Sequence, residues 1–139
     1  MLASALSTLL LLLLPGICVA TCKTAVASLK VKIEASETDK RRLVTSLKEH
    51  GCNHGLSFEP TDEGFEYRIA IADILKPKMT ITQAGIGSAE EAFVLTTVFD
   101  DKGMALFTFG RRARLTRRGV LNASAKEIIK RLIQVRSNK

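Results

Sequence analysis

The spacing of apolar residues along the chain predicts a small sheet flanked by two helices. Leu29, Val31 and Ile33 alternate with Lys30, Lys32 and Glu34, the period-two pattern of a strand with one wet face. The period then becomes helical. Leu43, Val44 and Leu47 share a face from about Glu37 to His50, while Lys40, Arg41 and Lys48 point outward. Ser36 with Asp39 three residues on resembles a capping box, and Gly51 is expected to end the helix in the left-handed region. A short strand is expected at Leu56 to Phe58. Phe65, Tyr67, Ile69 and Ile71 then alternate with Glu66, Arg68, Ala70 and Ala72 as a second clear strand.

Pro77 is expected to interrupt that strand, with Met79 and Ile81 as an edge continuation and Gly85 to Glu91 as a flexible connection. Ala92 to Phe99 and Met104 to Phe109 read as a hairpin closed by Asp100-Asp101-Lys102-Gly103. Ala92 to Phe99 is apolar on both faces, as a central strand is. The second arm is expected to stay extended through Arg111 to Thr116, placing Arg112, Arg114 and Arg118 on one face. The last helix is expected to open at Asn122 to Ser124, with Ser124 and Glu127 as its capping box, and to end near Arg136. The economical packing is an α+β domain: a mostly antiparallel sheet of four or five strands, in the order β-α-β-β-β-α, with two helices on one face.

The front of the chain changes the picture. Met1 to Ala20 is uncharged and holds the run Leu9 to Leu14, then Pro15-Gly16 and small residues at Cys18 and Ala20. That order matches an export signal, and its apolar core of about 13 residues is short of the roughly 20 that span a bilayer. The organisation read from the chain is therefore a signal over 1–20, a tether over 21–28 and one domain over 29–136. Val19-Ala20-Thr21-Cys22 resembles a bacterial lipobox, which would make Cys22 a lipid-bearing first residue. The competing reading is cleavage after Ala20, leaving Cys22 to pair with Cys52 in an oxidising compartment.

The net charge of +7 sits at one end of the chain. Residues 111–139 carry ten basic side chains and one acidic, Glu127, whereas residues 21–110 carry 11 basic and 13 acidic. Arg111, Arg112, Arg114, Arg117 and Arg118 form the row that stands out, and guanidinium forks suit carboxylate or phosphate. Such asymmetry points to an envelope protein, an acidic envelope polymer or a membrane surface. No aromatic residues interleave the row, which argues against nucleic acid.

Other chemistry is sparse. His50, Cys52 and His54 would face one ion if that segment were extended, giving an alternative reading as a small periplasmic metal-handling protein. Asp100 and Asp101 are explained by turn chemistry, and Gly85-Ile86-Gly87-Ser88 lacks the lysine and spacing of a phosphate loop. Asn122-Ala123-Ser124 is a glycosylation sequon read here as a helix start. No catalytic constellation and no cofactor are indicated.

Taken together, the opening strand and helix up to Lys48-Glu49-His50-Gly51, the strand Phe65-Glu66-Tyr67-Arg68-Ile69, and the hairpin from Val98 to Leu106 before a final Ala-Lys-Glu-Ile-Ile-Lys helix resemble known domains. They look like the small α/β domains of bacterial envelope lipoproteins, such as those of curli-secretion channels and penicillin-binding-protein activators. That resemblance implies a non-catalytic assembly or regulatory role in the periplasm or at the outer membrane, and supplies no active-site residues.

Overall fold

The computed structural model describes residues 27–113 and 116–139, with only the backbone at Ser88 and Ala89. The elements run β1 (Ala27–Glu34), α1 (Glu37–Cys52), β2 (Leu56–Pro60), β3 (Tyr67–Thr82), β4 (Gly85–Asp100), β5 (Ala105–Arg112) and α2 (Arg117–Ser137). The expected signal lies outside the described residues, and the last two residues of the expected tether, Ala27 and Ser28, are already strand.

The class is α+β, but the sheet is mixed rather than mostly antiparallel. Its order is β2-β1-β3-β4-β5, and β1 is parallel to both of its neighbours. The β1–α1–β2 segment is a crossover unit, and a helix between two strands returns the chain to its starting end, which makes the second strand parallel. β2 pairs with the first half of β1 and β3 with the second: Val31 meets Pro60 on one side and Tyr67 on the other. That stagger lets residues 61–66 pass across β1 without a return trip. The Thr61 and Glu66 N–H groups donate to the Val31 and Lys30 carbonyls on the way.

Both helices pack on one face of the sheet. Leu29, Val31, Ile33, Tyr67, Ile69, Val98 and Phe109 meet Leu43 and Leu47 of α1 and Ile128, Ile129 and Leu132 of α2 in one core. At 20–33 cal/mol per Å², each such side chain stabilises the fold by about 1.5–3 kcal/mol. The opposite face is mixed: Phe93, Leu95 and Phe99 are half-buried there, and Arg68 stacks over the Phe99 ring at 3.9 Å and pairs with Glu34 at 2.8 Å.

Several boundaries differ from expectation, each for a local reason. Ser36 caps α1 by accepting the Asp39 N–H at 3.3 Å, but Gly51 does not end the helix. It is buried inside α1, where an added Cβ would lie 2.7 Å from the Phe58 ring and 2.8 Å from the Leu56 carbonyl oxygen. Gly51 is thus a packing glycine, and the left-handed position falls at Gly55 (φ 71°). Pro77 does not interrupt β3, because pairing with β1 stops at Ala70 and leaves the outer edge of β3 open, where no N–H is needed.

Residues 85–91 are not slack: the ladder runs unbroken from Thr82↔Gly85 to Tyr67↔Asp100. The Asp100 carboxylate closes the next hairpin by accepting the Lys102 and Met104 N–H groups at 2.9 and 2.8 Å, with Gly103 at φ 84°. β5 ends at Arg112, and α2 opens at Arg117 with the Thr116 hydroxyl accepting the Gly119 N–H, about one and a half turns before the expected start. Asn122 and Ser124 therefore lie inside the helix, and Ser124 is fully buried.

One consequence of the topology is an arm. β1 accompanies β3 only as far as Ala70, and β5 accompanies β4 only from Phe93. Beyond those points residues 75–82 and 85–91 pair, among the described residues, only with each other and Ala92 as a two-stranded ribbon. Eight residues of strand reach about 26 Å at 3.2–3.4 Å each.

Gly51→Ala gains helix propensity, about 1 kcal/mol, but drives a methyl into the Phe58 ring and the Leu56 carbonyl. A net loss of about 1–3 kcal/mol is expected. Denaturant unfolding followed by circular dichroism measures it; a raised midpoint would contradict the packing role.

Candidate functional site

The structure breaks up the arginine row. Arg111 and Arg112 lie on β5, where Arg111 approaches Glu127 at 3.7 Å and Arg112 pairs with Glu91 at 3.0 Å. Arg114 lies outside the described residues. Arg117 and Arg118 are on α2, so the expected single face of Arg112, Arg114 and Arg118 does not form, because the strand ends at Arg112. The tail's one acid is also engaged. Glu127 accepts from Arg131 at 2.9 Å, and that bond, with the nearby cations, holds its carboxyl below the usual carboxylate range.

Arg117 forms the tightest polar contact of the fold. Its guanidinium donates to both carboxylate oxygens of Asp39 on α1, at 3.1 and 2.6 Å, and to Asp73 at the base of the arm, at 2.5 and 3.2 Å. Asp39 retains 12% side-chain exposure, whereas Asp73 retains 69%. The Asp39 leg therefore carries most of the energy, about 1.5–3 kcal/mol for a charge-assisted bond, and the Asp73 leg is worth about 1 kcal/mol or less. The Arg117 bond holds the Asp39 carboxyl below its ordinary range, and the two carboxylates push the Arg117 value up.

Beside this clamp lies a cleft of about 680 Å³ between α1 and the start of α2. Arg41 and Arg42 enter it from α1 and Arg118 from α2, with Thr45, Ser46 and Asn122 also lining it and Glu49 the one carboxylate on its wall. Among the described residues, none of these three arginines has an ion-pair partner. The α2 N-terminus adds the positive end of its dipole, and its first turn contains no acid. Two arginines at that end oppose the dipole, and only Arg117 is neutralised. Ser46 is 9% exposed and lines the cleft, and its hydroxyl makes no hydrogen bond among the described residues. The arrangement suits an anion with several oxygens: guanidinium forks and a free hydroxyl donor around one concave surface.

Of the residues singled out in the sequence as a contact surface, only Arg118 lines this cleft. In the linear chain Arg41 reads as a solvated helix position and Asp39 only as part of a cap, and Arg42 carries no signal, since nothing there joins position 39 to position 117. His50, Cys52 and His54 do not form a metal site. His50 and Cys52 sit on the last turn of a helix, not an extended segment, so positions two apart point different ways. The His50 ring is hydrogen-bonded through Nε2 to Asn122 Oδ1 at 2.7 Å, and Cys52 is in a disulfide. Among the described residues, no cluster of His, Cys, Asp or Glu gathers metal ligands. Cys22 lies outside the described residues.

No protein-family model matches the chain, and no curated protein matches its sequence. Among solved structures, the chain is similar to a minor lipoprotein from Acinetobacter baumannii at 16% identity and a TM-score of 0.44, over 77% of this chain and 94% of that one. It is similar to the dodecamer of a PelC variant from Paraburkholderia phytofirmans at 14% identity and a TM-score of 0.42, over 74% and 85%. A third is lipoprotein B from Nitrosomonas europaea, at 17% identity and a TM-score of 0.36, over 84% and 83%. Two of the three bear the name of lipoproteins. These are likenesses of fold alone.

The Asp39–Arg117 pair predicts an acid-sensitive stability. Because the folded carboxyl is held below its unfolded value of about 3.9, the stability it contributes is present above that pH. It is lost as pH falls through the folded value. Asp39→Asn is expected to cost about 1.5–3 kcal/mol at neutral pH and to flatten the loss of stability below about pH 4. Denaturant titrations at stepped pH read both effects; an acid limb unchanged by the substitution would contradict the pairing.

Proposed function

We propose that this chain is an exported, non-catalytic interaction module of the bacterial cell envelope that holds an anionic component in the Arg41–Arg42–Arg118 cleft. The observation that carries this reading is three arginines that make no ion pair among the described residues, outnumbering the single carboxylate, Glu49, on one concave surface at a helix N-terminus. Elsewhere in the fold Arg111, Arg112, Arg117, Arg131 and Arg136 all have acidic partners, so the unpaired set is local. Unpaired guanidinium groups at the positive end of a helix cost folding energy, and an external anion offsets that cost.

The leader supports export. After removal of residues 1–20 the remaining cysteines are Cys22 and Cys52. Cys52 is disulfide-bonded, and in a chain cut after Ala20 Cys22 is the one partner left for it. The processed domain then belongs to an oxidising compartment, in line with a periplasmic location. The metal-handling alternative is set aside, because Cys52 is occupied and no group of three metal-ligating side chains forms among the described residues.

Binding of the processed protein to an isolated cell-envelope fraction tests the cleft. Replacing Arg41, Arg42 and Arg118 together with Gln is expected to weaken retention roughly 100-fold at low salt, at about 1 kcal/mol per cation. Arg112→Gln, which removes a charge already paired with Glu91, is expected to leave retention within about twofold. Equal retention of the wild type and the triple variant would reject the cleft as the contact.

A further inference from the structure

The arm has a surface that the packing of the domain does not explain. Alternate positions along a strand share a face, so Leu75, Met79, Ile81 and, across the ladder, Ile86 continue the face that carries Tyr67, Ile69 and Val98 into the core. Along the arm that face is bare: Leu75 is 64% exposed, Met79 72%, Ile81 83% and Ile86 72%. Residues 79–89, the whole tip, contain no charged side chain. The charges stop just behind it. Lys76 sits over the Phe93 ring at 5.2 Å, and Arg112 draws Glu91 back to the body at 3.0 Å. A two-stranded ribbon is marginal in water by itself, and one with an uncovered apolar face more so.

We propose that the arm inserts its tip side chains, Met79, Ile81 and Ile86, into the interface of an anionic phospholipid bilayer. Two features select a lipid surface as the occupant. The first is the charge-free apolar tip at the far end of a projecting ribbon, which a bilayer interface accommodates without matching charges. The second is position. Arg117 ties the first turn of α2 to Asp73 at the arm's base, so Arg118 and the cationic cleft are anchored beside the same arm. An apolar tip on an arm rooted beside unpaired cations combines the two chemistries of peripheral attachment to anionic membranes.

The open edges of the ribbon limit the depth. Among the described residues, no strand lies on the outer sides of 75–82 and 85–91. Unpaired backbone N–H and C=O groups are not tolerated in hydrocarbon. The tip therefore acts as an interfacial wedge and does not span. The choice of an anionic bilayer rests on the proposed function of the cleft; the insertion rests on the arm alone.

The chain contains no tryptophan, so a single one reports its own position. Ile81→Trp in the processed protein places the probe at the tip, and Lys102→Trp places a control in the turn between β4 and β5. On vesicles of phosphatidylcholine and phosphatidylglycerol, the tip probe is expected to shift its emission to the blue and to become severalfold less accessible to acrylamide, while the control does neither. Ile81→Asp combined with Ile86→Asp is expected to weaken vesicle binding roughly tenfold or more, with an unchanged circular dichroism spectrum because both sites are exposed. A tip probe that stays quenched on vesicles that sediment the protein overturns insertion and leaves the cleft reading standing. A blue shift that follows protein rather than vesicle concentration overturns it in favour of a second copy of the chain. Insertion that persists in the triple Gln variant of the cleft supports the arm and removes the cleft as the anion contact.

Discussion

The architecture turns on one guanidinium. Arg117 joins three parts of the chain that are far apart in sequence: the first turn of α1 through Asp39, the base of the arm through Asp73, and the start of α2. The sheet alone does not fix where α2 begins relative to α1, since an apolar stripe tolerates sliding along its neighbour. A two-pronged bond to a buried carboxylate does fix it, because geometry as well as charge must be satisfied. The clamp neutralises the first of two adjacent arginines at a helix N-terminus and leaves the second exposed. Arg118 is thereby presented to the cleft with Arg41 and Arg42, and the arm is braced at its root.

The same electrostatic logic separates structural from available charge. Part of the tail's positive excess is compensated within the protein. Arg111 and Arg131 share Glu127, Arg112 holds Glu91, and Arg136 reaches Glu66 at 3.8 Å. Those exposed pairs are each worth little to stability. Their effect is to engage Glu66, Glu91 and the tail's own Glu127 with arginines from the chain's end, so that among the described arginines only Arg41, Arg42 and Arg118 make no ion pair. A count of charges along the chain overstates the contact surface about as much as it misplaces it.

What is legible in the sequence follows from range. Period-two and period-3.6 patterns place β1, α1, the core of β3 and β4 and the body of α2, because each depends on residues within a few positions. The Asp100 turn is equally local. Strand direction is not, since parallel pairing of β1 with β2 and β3 depends on where chains cross. The start of α2 is hard to read because Ser124 and Glu127 imitate a capping box, while the actual cap, Thr116, sits among arginines that read as strand. Gly51 looks like a helix end, yet the reason for a glycine there is the Phe58 ring. The arm is hidden by Pro77 and by Gly85 and Gly87, which weaken any strand pattern but are tolerated on a ribbon with open edges. Arg41 and Arg42 resemble any solvated helix pair until α2 is placed against them.

If the Arg117 clamp aligns the cleft and the arm as one unit, removing it must loosen both. Site-resolved amide hydrogen exchange on the wild type and on Arg117→Gln tests this directly. The substitution is predicted to lower protection together in the first turn of α2, in α1 around Asp39 and at the arm root around Asp73, with the central sheet little changed. Loss confined to the first turn of α2, with α1 and the arm root as protected as before, would contradict it.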